Sequence, residues 1–346
     1  MRTEAAVLFE LNQPLRQVML ELPELRPGQL LVEVAYSGVC HSQLHEVRGR
    51  RGPDRFLPHT LGHEGSGVVR AVGPQVSKVR PGDRVVLTWI KGQGADVPST
   101  TYHEGAAAIN SGALSTFMRH TITCENRVVP LPREMPLREA ALLGCALPTG
   151  AGVVLNTAAM PEGASLAIVG VGGIGLSALL AARLREARLL IAIDVVEQKL
   201  AEALRLGATH VINARERDAV AAILEITEGR GVDYAIEAAG RRDTMEAAFR
   251  SVRDSGGLCI LAGNLTHGEQ ISINPFDLIR GKRIMGTWGG ETRPDVDLPR
   301  YAQWYLEGRL PLAELITREY RLDEINSALD DMEQGRLSRA LVKLAA

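Results

Sequence analysis

Ala164-Ser-Leu-Ala-Ile-Val-Gly-Val-Gly-Gly-Ile-Gly-Leu-Ser-Ala-Leu-Leu-Ala-Ala-Arg183, closed by Leu189-Leu-Ile-Ala-Ile-Asp194, is the stretch whose reading decides the fold. It begins with a continuous apolar run, Leu166 to Val169, as a strand buried on both faces requires. Gly170, Gly172 and Gly175 follow in GxGxxG spacing, with Gly173 between them, and the sequence then turns helical and rich in Ala and Leu. A second apolar run ends in Asp194. Strand, glycine turn, helix, strand and acid make a dinucleotide-binding unit. The glycines allow a tight turn and a close backbone approach to a pyrophosphate that rests on the helix N-terminus. Asp194 stands about 20 residues beyond the turn, where a carboxylate accepts hydrogen bonds from ribose hydroxyls and repels a 2′-phosphate, which favours NAD over NADP.

Around this unit the chain is long enough, at 346 residues, for two domains. A formal net charge of −2 with mixed signs gives no basic field for nucleic acid. No apolar run approaches membrane-spanning length, and Met1-Arg-Thr-Glu-Ala-Ala-Val is too polar for a signal peptide, so a cytoplasmic protein without membrane or nucleic-acid partners is expected. The four cysteines, Cys40, Cys124, Cys145 and Cys259, are scattered without a CxxC pair, which argues against a disulfide framework.

Upstream of the glycine turn the signals are β. Short strands from Ala6 to Val39, at 67–72 and at 84–87 are separated by Gly and Pro, as in a small barrel-like domain. A helical stretch from about Met135 to Val154 leads into the nucleotide unit, where strands and helices alternate as in a parallel, doubly wound sheet. Later helices are expected at Pro299 to Glu307 and Leu322 to Glu333, with a final strand at 339–344.

A second constellation lies in three segments, 38–45, 61–67 and 143–150. Cys40, His63 and Cys145 would form a Cys2His zinc site with its fourth position open, the ligand set of catalytic zinc in alcohol dehydrogenase. Here the chain resembles, along essentially its whole length, the zinc-dependent medium-chain dehydrogenase/reductase family of alcohol dehydrogenase type. GVCHS (38–42), GHEGSG (62–67), PGDRV (81–85), GCALPTG (144–150), the glycine turn, Asp194 and Gly335-Arg-Leu-Ser-Arg339 fall in the family's order.

That resemblance implies a GroES-like catalytic domain over 1–150, a Rossmann domain over 151–287, and a segment 288–346 completing the first. It implies hydride transfer between an alcohol and NAD, with one catalytic zinc per chain. Ser42 matches the hydroxyl that takes the alcohol proton, His45 the imidazole that passes it to solvent, and Glu64 a carboxylate behind the metal. His41 and Arg339 match positive groups facing the pyrophosphate, Lys199 a ribose contact, and Thr149 a buttress of the nicotinamide. The family commonly pairs through the Rossmann sheet edge, so a homodimer is expected, with a tetramer as the alternative.

The chain also departs from the pattern. No cysteine lies between Arg84 and Phe117, so the four-cysteine structural zinc is absent and the lobe 88–112 must hold itself or remain mobile. Gln43 stands where the family usually has an aspartate that orients the zinc-bound histidine; its oxygen is expected to accept from His63. Trp89, Ser111 and Gly112 align with the substrate pocket, and Lys91, Gln93, Asp96 and Asn110 nearby point to a polar, sugar-like or cyclitol-like alcohol. Two alternatives stay open: a zinc-free NADPH quinone or enoyl reductase of the same superfamily, and a non-catalytic nucleotide-binding protein. Intact Cys40, His63, Cys145 and Asp194 weigh against both.

Overall fold

All five residues of the strand Ser165–Val169 are buried, and it sits in the middle of a six-stranded parallel sheet. In spatial order the strands are His210–Asn213, Leu189–Asp194, Ser165–Val169, Tyr234–Glu237, Leu258–Leu261 and Arg283–Gly286. The order reverses at Ser165–Val169, the arrangement that places a ligand crevice at the strands' carboxyl ends. Helix Gly173–Leu184 follows the glycine turn. Gly150 lets helix Ala146–Gly152 lie against it, since a Cβ there would stand 2.6 Å from Ser177 Cβ.

The computed structural model describes residues 1–344 and divides into two units, Met1–Cys145 with Arg293–Ala346, and Ala146–Thr292. The boundaries fall at 145 and 293, against expected divisions at 150 and 287. The first unit is built on two largely antiparallel sheets. Its longest strand, Gln29–Val39, pairs with Glu64–Val72, with His120–Cys124 and with the C-terminal strand Ala340–Lys343. Ala340 opposite Val39 is what returns the end of the chain to the first unit. Its core joins Leu30, Val32 and Val34 of this strand to Leu87, Phe117, Leu329 and Val342. No single helix among the described residues is long and apolar enough to cross a membrane.

Two helical segments differ from the sequence reading. The run expected from Met135 to Val154 is broken: helix Leu137–Ala140 and a 3-10 turn Ala141–Gly144 stop at Cys145, whose φ of −150° and ψ of −68° are not helical, before Ala146–Gly152 resumes. The helix expected from Pro299 starts earlier, at Pro294–Leu306. Pro294 occupies the first turn, where its missing N–H costs nothing, and Pro299 is carried inside.

The cysteine-free lobe is held by carboxylates. Glu125, 3 % exposed, accepts from Ser77 N and Lys78 N, both at 2.6 Å, and from Ala95 N at 3.1 Å. Asp295 accepts from Gln93 N at 2.6 Å and pairs with Lys78. Lys91 bonds Asp96, which also accepts from Asn126, and Arg26 donates to the carbonyls of Pro98 and Ser99. The strands Tyr102–Glu104 and Ala107–Ile109 then join the sheet through Glu21 opposite His103.

Candidate functional site

Three separate turns of the first unit bring Cys40, His63, Glu64 and Cys145 together, with one donor atom from each lying within 4.8 Å of the others. Cys40 is the residue before helix His41–Val47. His63 follows Gly62, whose φ of +92° suits glycine and whose added Cβ would stand 2.7 Å from Phe117 N. Cys145 sits at the break in its helical run, fixed from behind by Thr88 Oγ1, which donates to the Gly144 carbonyl at 2.8 Å. The Glu64 backbone is anchored by a buried hydroxyl pair: Thr116 and Ser37 donate to its carbonyl at 2.9 and 3.1 Å.

His63 Nε2 faces Cys145 Sγ at 3.3 Å, and Ser42 Oγ donates to Cys40 Sγ at 3.3 Å. The neighbouring Cys145, against the opposing effect of burial, holds Cys40 well below the ordinary thiol range, while Cys40 and burial push Cys145 well above it. Burial works to lower His63, but the hydrogen bond and charge of Cys40 outweigh it and its value rises. Burial raises Glu64, whose carboxylate is wholly buried and pairs with Arg339. Arg339 is 5 % exposed and also donates to the Val39 carbonyl at 3.0 Å. This set of two sulfurs and an imidazole, Cys145 buried and Cys40 and His63 half-buried, backed by a buried carboxylate, fits a zinc ion.

The remaining predicted residues of this unit are placed as follows. His41 opens its helix and is exposed; Ser42 and His45 lie three residues apart on it and share a face. Burial, then Arg50 and Arg51, lower the His45 value, so its ring is neutral near pH 7. Trp89 stands edge-on to His63, ring centroids 6.4 Å apart and planes at 72°. Ser111 donates to the carbonyls of Thr100 at 2.6 Å and Gly112 at 3.0 Å, within the lobe. Lys91 and Asp96 pair with each other, and Asn110 Nδ2 donates to the Phe56 carbonyl at 2.8 Å. The sugar-like expectation thus loses several of the side chains on which it was built.

Gln43 requires a correction. Its Oε1 accepts from Cys40 N at 2.9 Å, and it is Nε2 that faces His63 Nδ1, at 2.5 Å. The oxygen expected on His63 accepts from the backbone of Cys40.

In the second unit the glycine turn is shaped for a dinucleotide. Gly170 has φ +92°, and a Cβ on it would stand 2.7 Å from Ala239 N; one on Gly175 would collide with the Gly170 carbonyl. A Cβ on Gly172 meets nothing within 4 Å, which leaves the helix N-terminus open to a phosphate. Asp194 accepts from Val171 N at 2.9 Å and from Val195 N and Val196 N at 2.7 and 3.1 Å, and this fixes its carboxylate at the end of its strand. Lys199 lies on helix Glu197–Arg205, half-buried. Thr149 is 6 % exposed, and its hydroxyl has no protein partner, an orphan that a bound cofactor can satisfy. Sequence reading missed Glu237, fully buried at the end of its strand, which accepts from Ala239 N, Gly240 N and Thr244 Oγ1. The sequence signal was the acid ending an apolar strand, Ala235-Ile-Glu237.

Residues 26–133 match the family model of the alcohol dehydrogenase GroES-like domain, and residues 173–306 match that of zinc-binding dehydrogenase. The chain is 31 % identical to S-(hydroxymethyl)glutathione dehydrogenase of Paracoccus denitrificans, over 99 % of this chain and 100 % of that one. Among solved structures it resembles an alcohol dehydrogenase zinc-binding domain protein from Burkholderia ambifaria, 34 % identical with a TM-score of 0.93 over 100 % of both chains. Benzyl alcohol dehydrogenase from Acinetobacter calcoaceticus is 31 % identical, with a TM-score of 0.90 over 100 % of both. Full-length likeness of this kind, on a chain that keeps two thiols and an imidazole converged in one unit and an open glycine turn in the other, shows that it belongs to the zinc-dependent alcohol dehydrogenase family of oxidoreductases.

Proposed function

We propose that this chain interconverts an alcohol and its aldehyde or ketone with NAD, and that Cys40, His63 and Cys145 hold one catalytic zinc. The convergence of these donors with Glu64 carries the reading. Zinc bound there supplies a Lewis acid, and NAD supplies the hydride acceptor. Ser42, bonded to Cys40 Sγ, is placed to take the substrate hydroxyl proton, and His45, neutral and on the same helix face, to pass it to solvent. Glu64 and Arg339 form a buried pair behind the ligands. Asp194, fixed by three backbone N–H groups, selects NAD by repelling a 2′-phosphate.

Trp89 beside His63 supplies a flat apolar wall, while Lys91, Asp96 and Asn110 are committed elsewhere. The substrate class that this supports is an alcohol bearing an aromatic or other flat apolar group. Following NADH formation at 340 nm over aliphatic and benzylic alcohols, polyols and sugars, with and without a strong chelator, tests both parts. Chelator-sensitive turnover greatest on benzylic alcohols is expected. Turnover that survives the chelator removes zinc from the reaction, and preference for polyols removes the apolar wall.

A homodimer is supported by the free edge strand Arg283–Gly286, with Met285 39 % exposed and, just before the strand, Phe276 57 % and Ile279 77 % exposed. Met285→Lys and Ile279→Lys together are expected to give a monomer by light scattering. A cytoplasmic location accords with four unpaired cysteines.

A further inference from the structure

Glu46, Asp54 and His59 form a second cluster of metal-ligating side chains, with one donor atom from each within 4.8 Å of the others. Glu46 lies in the last turn of helix His41–Val47, Asp54 in the loop that follows, and His59 on the short strand His59–Thr60, which pairs with Arg2–Leu8. His59 Nε2 stands 2.8 Å from Asp54 Oδ2 and 3.8 Å from Glu46 Oε1. The side chains are largely withdrawn from solvent, 7 % exposed for His59, 12 % for Asp54 and 25 % for Glu46.

The far atom of each group is fixed by the protein. His59 Nδ1 faces the Thr60 carbonyl at 3.1 Å, Asp54 Oδ1 accepts from Phe56 N at 2.8 Å, and Glu46 Oε2 accepts from the Arg51 guanidinium at 3.2 Å. The remaining nitrogen and two oxygens are thereby turned towards one another. Outer partners of this kind orient metal ligands: a carbonyl on the far imidazole nitrogen and hydrogen bonds on the far carboxylate oxygens. Two ligand atoms about 2.1 Å from an ion stand about 3.0–3.4 Å apart in octahedral or tetrahedral geometry. The observed 2.8 and 3.8 Å bracket that spacing. The longer contact separates an ion from a hydrogen bond. A proton on Nε2 would serve Asp54 and leave Glu46 beyond hydrogen-bond reach, whereas an ion engages both carboxylates.

We propose that Glu46, Asp54 and His59 bind a divalent transition-metal ion of the manganese or zinc type, at a site distinct from the one on Cys40, His63 and Cys145. One imidazole and two carboxylates suit such ions and offer no thiolate to softer ones. Three protein donors leave the other coordination positions to water. The ion ties the loop at 48–58 to the helix that carries Ser42 and His45.

Manganese is the probe, because it prefers nitrogen and oxygen donors to thiolates. Whole enzyme already loaded with zinc is titrated with Mn(II), and the free ion is followed by its electron paramagnetic resonance signal. One equivalent per chain with a Kd of about 100 μM or tighter is expected. Glu46→Gln and Asp54→Asn keep an oxygen for Arg51 and for Phe56 N, and each should weaken manganese binding about tenfold or more while zinc content stays at the wild-type level. Trypsin cleavage after Arg51 or Arg55 should slow about tenfold at manganese ten times above its Kd. Wild type that binds no manganese overturns the proposal whatever the variants do, and so does binding that both variants retain undiminished. Zinc held without manganese overturns this site alone, whereas manganese bound by a chain that holds no zinc supports this site and removes only the catalytic one.

Discussion

Gly38 and Glu64 occupy one space: a Cβ built on Gly38 would stand 2.5 Å from Glu64 Cδ. Gly144 closes the other side, where a Cβ would stand 2.7 Å from Glu64 Cβ. The glycine just upstream of each of Cys40 and Cys145 is thus the seat of the carboxylate that adjoins His63, and the three motifs are interlocked. Gly38→Ala is expected to destabilise the fold by about 1–3 kcal/mol through overpacking. It should also weaken zinc retention, because Cys40 and Glu64 are forced apart. Metal analysis after dialysis against a mild chelator checks this, and full zinc content in Gly38→Ala would refute the interlock.

Arg339 gives the buried Glu64 its counter-charge. Removing one partner of a buried pair leaves the other charge uncompensated, a loss of about 3–5 kcal/mol. Arg339→Leu should therefore unfold at markedly lower denaturant, and the double variant Arg339→Leu/Glu64→Leu should recover part of the loss. Chemical denaturation of the four proteins of this cycle measures the pair; equal stability of the two single variants and wild type would show that it contributes nothing.

Glu125 is the tie of the cysteine-free lobe. Glu125→Ala leaves the Ser77, Lys78 and Ala95 N–H groups without their acceptor, a loss of about 3 kcal/mol or more. Protease cleavage within 91–101 should become faster while the glycine-turn unit keeps its NAD affinity. Unchanged cleavage would mean that Asp295, Asp96 and Arg26 hold the lobe without Glu125.

Asp233 sits at the foot of the nucleotide sheet. Burial works to raise its value, but Ser165 N–H and hydroxyl and the Arg253 guanidinium outweigh it and hold the carboxyl at about 2. Its folded-state value lies below the unfolded one of about 3.9. The stabilisation is therefore complete above about pH 4 and is lost as pH falls towards 2. After allowance for solvent screening it is on the order of 1 kcal/mol. Asp233→Asn should be less stable than wild type by about that amount at pH 6, and the gap should narrow as pH falls to 3 in urea titrations. A gap independent of pH would assign the effect to packing.

The parts legible in the sequence were those whose physics is local or whose motif is unbroken. A strand buried on both faces, a turn needing Gly170 and Gly175, and an acid closing the next strand are each set by a few neighbouring residues, and the sheet follows from them. Cys40, His63 and Cys145 were visible because each sits in a glycine-marked turn. The work of Glu125 was not visible, because its donors lie on segments 30 to 48 residues away. Nor was the atom-level arrangement at Gln43, whose oxygen takes the Cys40 N–H while its nitrogen faces the imidazole. The break at Cys145 was hidden by flanking Ala and Leu of high helix propensity, which tertiary packing of Gly144 on Glu64 overrides.

A lobe tied by Glu125 and Asp295 instead of thiolates has a different weakness from one clipped by metal. Peroxide and heavy-metal ions, which attack thiolates, find no target in residues 85–116, so oxidative damage to this enzyme should fall first on Cys40 and Cys145 and silence catalysis while the lobe stays folded.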